Sequence, residues 1–249
     1  MKNIFYKYKI KAIKECKTLT YAEKTKGLWK KRAIHEYFDC LKLDDANKKI
    51  SSLLLRKKLN GKKILIIGGG TGKLGRNLSN KCNYVKIVEI DSSLSISNHA
   101  NYLAKKEKLK NFISINASCQ KIPFKDNFFD YVVAYGVFRY IPENDHKISI
   151  SEIIRVCENS FIISEPAMGN FLLSLKKQIP NSINIKLNKQ KITMFRMSLF
   201  YMLFKLYKND KNFKKVVDSK INLKNNFIKI ISNIAGTKKG YLYNLVCKK

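Results

Sequence analysis

The chain reads as an α/β protein built on a seven-stranded, mostly parallel sheet with an antiparallel C-terminal edge. Three observations predict this. Short apolar, β-branched runs alternate with helix-length segments between about residues 62 and 166. A glycine-rich turn follows the first of those runs directly. After Glu165-Pro166 the rhythm breaks, and the chain ends in two further strand-like segments. Strands that alternate with helices form βαβ units, and such units build a parallel sheet covered on both faces.

In chain order, residues 1–60 carry charge throughout, with apolar positions such as Ile10, Ile13 and Leu28 at helical rather than alternating spacing; they form a helical N-terminal cap. Asn60-Gly61 is a turn signal. Five strands are expected at 63–67, 84–90, 112–115, 129–134 and 161–164. Helices are expected at 73–80 and 145–157, and another opens after Asp91-Ser92, both good N-cap residues. Residues 61–249 form the main domain, with a helical insert at about 167–222 that contains apolar stretches at 171–175 and 192–207. Segments 227–231 and 241–247, joined through Gly236 and Gly240, read as an antiparallel pair closing the sheet edge.

Hydrophobic residues make up 45 % of the 249, enough to bury a core. The net charge of +32 would attract phosphates or anionic lipid. The lysines, however, are spread through nearly every segment, which describes a solvated basic surface better than one selected patch. Cys16, Cys40, Cys82, Cys119, Cys157 and Cys247 show no C-x-x-C spacing and no companion histidine cluster, so no metal site is expected. Scattered unpaired cysteines suit a reducing cytoplasm. The N-terminus lacks an apolar signal core, and no stretch reaches the ~18 apolar residues that span a bilayer. In the 192–207 stretch, Ile192, Phe195, Leu199, Met202, Leu203 and Leu206 recur at helical spacing and aromatics fill other faces. Such a helix is buried, as a lid over an apolar pocket, or lies against a membrane surface.

The chemistry starts at Gly68-Gly69-Gly70-Thr71-Gly72. Glycines directly after a strand and before a helix let the backbone approach a nucleotide-like ligand closely. Glu89 ends the expected second strand about seventeen positions after Gly72, near the ~20 at which an acid accepts bonds from ribose hydroxyls. On this reading Glu89 is the ribose ligand, Ile90 lies beside it, and Asp91 is a helix cap first and a ligand second.

In order, these segments resemble the class I, Rossmann-like S-adenosylmethionine-dependent methyltransferases, small-molecule (type 11-like) branch. Residues 64–72 (ILIIGGGTG) resemble their first motif, and 88–92 (VEIDS) the end of their second strand. Residues 117–124 (ASCQKIPF) resemble the segment beside the adenine, 126–133 (DNFFDYVV) the entry to strand four, and 152–166 the helix and strand that follow. The resemblance covers about residues 62–166. It implies S-adenosylmethionine as cofactor, bound by Gly68, Gly69, Gly70, Thr71, Gly72, Glu89, Ile90, Ser118, Cys119, Ala134 and Tyr135. Three positions depart from the motif: Ile66 where an acid is frequent, Ser118 for the usual Asp, and Asn159-Ser160 for a Gly-Gly pair. The first motif is also similar to that of aminopropyltransferases. Those carry an acidic base after strand four, where this chain has Ala134-Tyr135-Gly136.

The resemblance implies methyl transfer to a small-molecule or lipid-like acceptor, with contacts from Tyr135, Phe138, Arg139 and Tyr140. A base is needed only if the acceptor must lose a proton; His35, with Trp29 and Tyr37 nearby, and Tyr135 are the candidates. His99 and His146 read as structural or solvated. Two alternatives remain: a nucleic-acid methyltransferase, suggested by charge alone, and a non-catalytic protein that keeps the fold. Residues 134–136 lack the (Asp/Asn)-Pro-Pro-Tyr of base-amino methyltransferases, and no RNA-binding module is apparent.

Overall fold

A computed structural model describes residues 45–82, 84–166, 169–195, 203, 206–219 and 237–249 of the chain. The expectations for Trp29, His35, Tyr37, 227–231 and most of 1–60 lie outside the described residues. The described elements are α1 (Asp45–Leu55), β1 (Lys63–Ile67), α2 (Lys73–Lys81), β2 (Lys86–Asp91), α3 (Leu94–Lys106) and β3 (Phe112–Asn116). They continue with β4 (Phe129–Tyr135), α4 (His146–Val156), β5 (Cys157–Pro166), α5 (Gly169–Lys176), β6 (Asn184–Phe195), α6 (Lys211–Asp218) and β7 (Thr237–Lys248).

The seven strands form one sheet in the order β3-β2-β1-β4-β5-β7-β6. β1 pairs in parallel with β2 and β4, β2 with β3, and β4 with β5, while β7 runs antiparallel to β5. The five strands expected between 62 and 166 are all present, and β7 covers the expected 241–247. The strand beyond it in the sheet was not expected. β6 lies at Asn184–Phe195, inside the segment expected to be helical, and takes the sheet edge beyond β7. The first four residues of the expected 192–207 helix are therefore strand, and 196–202 lie outside the described residues. The local signal in NIKLNKQKITMF is short: apolar and polar residues alternate only from Ile185 to Asn188, and four polar residues then run from Asn188 to Lys191 before Ile192. The alternation is a half-buried strand pattern, but the lysines read equally well as a solvated helix.

Leu65 and Ile67 of β1, Val132 and Ala134 of β4, Phe161 and Ile163 of β5, and Leu245 and Cys247 of β7 point to one face. Ile150, Ile153 and Val156 of α4 and Leu172 and Leu175 of α5 cover that face, and all are buried. At the start of the strands, the Asp130 carboxylate accepts from Lys62 Nζ (2.7 Å), Lys63 N (2.9 Å) and Asn159 Nδ2 (3.3 Å). This ties the entries of β1, β4 and β5 together.

By its internal contacts the chain divides into residues 42–192 with 240–249, and residues 1–41 with 193–239. In the second unit, α6 begins at Asp210, whose side chain accepts from Phe213 N at 3.0 Å, and Phe213 and Val217 are buried. The described residues that hold the glycine turn lie in the first unit. There the chain leaves β1 for β2 and β3 on one side and returns to β4 on the other, so a crevice opens at the C-terminal ends of β1 and β4.

Phe161→Ala should destabilise the fold by about 3–5 kcal/mol, since its ring is fully buried between β4 and β7. Urea unfolding of the two proteins measures the difference.

Candidate active site

Three consecutive residues of β2 hold the glycine turn. The Ile90 carbonyl accepts from Gly68 N at 2.9 Å and from Gly69 N at 3.4 Å. Asp91 Oδ2 accepts from Gly70 N at 3.3 Å, and its Oδ1 from Ser93 N at 2.9 Å. Glu89 Oε1 accepts from Gly75 N, in the first turn of α2, at 3.2 Å. Gly68, Gly70 and Gly72 sit at φ of +66°, +61° and +83°, left-handed values that glycine adopts without strain. A Cβ at Gly68 would also stand 2.8 Å from Val137 Cγ2, so the loop after β4 packs directly against the turn. A Cβ built at Gly70 would meet no atom of the described residues within 4 Å, so that face of the backbone is open to them.

Glu89, the acid expected beside a ribose, turns its carboxyl to α2 in this structure. It lies inside β2, is 0 % exposed, and reaches under the turn to α2. Burial pushes its carboxyl well above the usual range; the Gly75 N–H and then the Arg76 charge offset this only partly. Asp91, the last residue of the strand, is the acid that emerges half-exposed beside the open face of Gly70. Alternation puts positions 89 and 91 on the same face, and what separates them is place along the strand: 89 is interior to β2 and 91 ends it. Asp91 also receives Ser93 N, although the N-cap of α3 is Ser93, whose side chain makes no capping bond. Ile90 contributes its carbonyl to the turn, while its side chain is buried in the core.

On the side reached through β3, Asn116 Nδ2 and Ala117 N donate to the Asp91 carbonyl at 2.9 and 3.1 Å, bringing Ser118 and Cys119 towards the end of β2. Ser118 is exposed and its hydroxyl pairs with Gln120. Cys119 is buried, its Sγ 3.6 Å from Ser149 Oγ, and burial raises its pKa. The segment beyond is clamped by α4. Ile122 N donates to Glu152 Oε2 at 2.7 Å, and Arg155 donates to the Ile122 and Phe124 carbonyls at 2.9 and 2.7 Å while pairing with Glu152 and Asp126. Sequence reasoning gave Arg155 no role. Its bond to Glu152, more than any other contact, holds the Glu152 carboxyl below its ordinary value.

Ala134 is buried in the core and Tyr135 is half-buried at the end of β4. Phe138, expected to touch an acceptor, is fully buried. Arg139 is committed to Glu165 of β5, with Nε–Oε2 at 2.7 Å and a second nitrogen at 2.5 Å, and Phe138 N donates to Glu165 Oε1 at 3.0 Å. Glu165 is 0 % exposed, and burial raises its pKa against the pull of Arg139. His146 is buried, with Nε2 3.1 Å from the Phe138 carbonyl and 3.0 Å from that of Ile141. His146 therefore fixes the loop after β4. His99 is half-buried on α3 beside Tyr102. Among the described residues no group of His, Cys, Asp or Glu could hold a metal ion. Among them, too, no helix is long and apolar enough to cross a membrane.

A glycine turn at the switch point of a 3-2-1-4-5-7-6 sheet, with an acid at the tip of β2, defines the class I, Rossmann-like methyltransferase fold. Residues 64–160 match the family model described as a methyltransferase domain. The ubiquinone/menaquinone biosynthesis C-methyltransferase UbiE of Rhizobium rhizogenes is 31 % identical over 98 residues, 38 % of this chain and 36 % of that protein. The chain spans between about a third and about half the length of the curated relatives it matches. A SAM-dependent methyltransferase from Aquifex aeolicus superposes with a TM-score of 0.53 at 16 % identity, covering 83 % of this chain and 90 % of that one. Magnesium protoporphyrin IX methyltransferase from Synechocystis PCC 6803, solved with bound SAM, gives 0.51 at 12 % identity, covering 81 % and 77 %. Residues 64–160 thus carry a methyltransferase domain, and S-adenosylmethionine is the cofactor of that class.

Two outcomes follow from these clamps. Glu165→Ala should destabilise the protein by about 3–5 kcal/mol, because it strands the Arg139 cation in a site only 10 % exposed; chemical unfolding measures the loss. Glu152 has a lowered pKa, so its stabilisation is present above the ordinary value of 4.5 and fades as pH falls through the lowered one. Unfolding curves at pH 7 and pH 3 should show wild type more stable than Glu152→Gln at the first pH and the gap narrowed at the second.

Proposed function

We propose that the chain transfers a methyl group from S-adenosylmethionine to a small-molecule or lipid-like acceptor. The observation that carries this reading is the open left-handed turn at Gly70 with the half-exposed Asp91 carboxylate beside it. The residues fit the cofactor. The turn presents backbone without side chains where the cofactor's amino-acid end would lie, and Asp91 is an acceptor-only group suited to two ribose hydroxyls. Ser118 and Cys119, beyond β3, would flank the adenine, and Ala134 and Tyr135 the methyl-bearing end.

When bound, the cofactor supplies an activated methyl group, which leaves the protein little covalent chemistry. The chain's part is alignment and exclusion of water. The loop after β4 would form the acceptor-side wall. Glu165 and His146 hold it, Arg139 is neutralised within it, and Val137 and Ile141 are half-buried there. A wall without a free cation among these residues supports a neutral, lipid-like acceptor over a polyanion, despite the charge of +32. The UbiE relatives, named for C-methylation in ubiquinone/menaquinone biosynthesis, are in line with such an acceptor.

Asp91→Ala should weaken S-adenosylhomocysteine binding by about 1–3 kcal/mol, a loss read by calorimetry. An unchanged affinity would show that another group holds the ribose. With methyl-tritiated cofactor and a cell extract, label should enter the solvent-extractable small-molecule fraction. Label found only in a ribonuclease-sensitive fraction would overturn the choice of acceptor.

A further inference from the structure

We propose that Glu89 is a positioning residue: its carboxyl, sent from β2 beneath the glycine turn, caps α2 and so fixes the turn for the cofactor. The inference rests on the methyltransferase reading for what the turn binds, but its geometry stands apart from it. α2 starts at Gly72, which has no side chain and makes no capping bond. A helix leaves its first-turn N–H groups without intrahelical partners, and a side-chain oxygen must take them. Glu89 Oε1 takes the third of these, Gly75 N, from fourteen residues away.

Two glycines make the reach possible. A Cβ at Gly75 would lie 2.6 Å from Oε1, and a Cβ at Gly69 would fall on the carboxyl group as well. Gly69 and Gly75 therefore enclose Glu89 from the two ends of the turn. Across the sheet its register partner is Ile66, on the strand that leads into the turn. No other carboxylate among the described residues reaches Gly75.

The arrangement costs stability. Glu89 is fully buried, its Oε2 has no partner among the described residues, and burial favours its neutral form. A buried polar atom left unsatisfied is destabilising, so an apolar side chain here would remove the Oε2 penalty while leaving the Gly75 N–H without its acceptor, and the two effects offset. Its retention suits a role in shaping a site more than one in holding the sheet.

The test compares Glu89→Gln, which keeps the acceptor oxygen, with Glu89→Val, which removes it, using S-adenosylhomocysteine as probe. Glu89→Gln should bind within about threefold of wild type, while Glu89→Val should bind roughly tenfold or more weakly. Thermal unfolding without ligand should show Glu89→Val close to wild type in stability. Amide exchange at Gly75 should speed up in Glu89→Val alone. Because folding raises the Glu89 pKa, wild type should also lose stability relative to Glu89→Gln as pH rises above the unfolded value of 4.5. The proposal is overturned if Glu89→Val binds as tightly as wild type, or weakens only in step with a loss of thermal stability. If wild type itself does not bind, the cofactor reading fails, and the exchange rate at Gly75 still decides whether Glu89 holds the turn.

Discussion

The site depends on one constraint: a strained-looking glycine turn has to be held open from behind. Three adjacent residues of β2 meet it with different groups. Glu89 sends a side chain under the turn, Ile90 offers its carbonyl, and Asp91 sends a side chain to the rim. Because alternate residues of a strand face opposite ways, the middle residue is free to bury its side chain in the core while its backbone serves the turn. The glycines take the conformations the turn needs, and β2 stops them from collapsing into the crevice they are meant to leave open.

The rest of the first unit supports that point. Asp130 fixes the entries of β1, β4 and β5, which sets the height at which each strand delivers its C-terminal end. Arg155 and Glu152 of α4 pin the segment after β3, and Glu165 and His146 pin the loop after β4. The walls on both sides of the turn are thus held by buried or half-buried charged groups, each with a named partner. Val137 against Gly68 joins the acceptor-side wall to the turn itself. A shift in either wall would therefore be felt where the cofactor is expected to lie.

Much of this was legible in the sequence because the central strands are buried on both faces and read as apolar runs. The runs at 63–67 and 129–134, and the glycines between strand and helix, carry their geometry in their composition. Where two periods fit the same letters, the reading failed. Lysines between Ile185 and Ile192 concealed an edge strand, since an edge needs one buried face only. Spacing locates a strand end only to within a residue or two, whereas Glu89, interior to β2, buries its carboxyl beneath the turn and Asp91, two residues on, emerges beside Gly70. Apart from Glu152, three residues before Arg155 on the same helix, the partners of Arg139 and Arg155 lie 26 to 33 residues away in the chain, and no local pattern announces such a pairing.

The central claim is that the open face of the Gly68–Gly72 turn, with Asp91 at its rim, is where the methyl donor binds. Backbone amide spectra recorded while S-adenosylmethionine is titrated in test it most directly. The account predicts saturable shifts concentrated at Gly68 to Gly72, Asp91 and Ser118, with the strand entries around Asp130 unmoved. Shifts confined to exposed lysine-rich segments, or none at the turn, would contradict it.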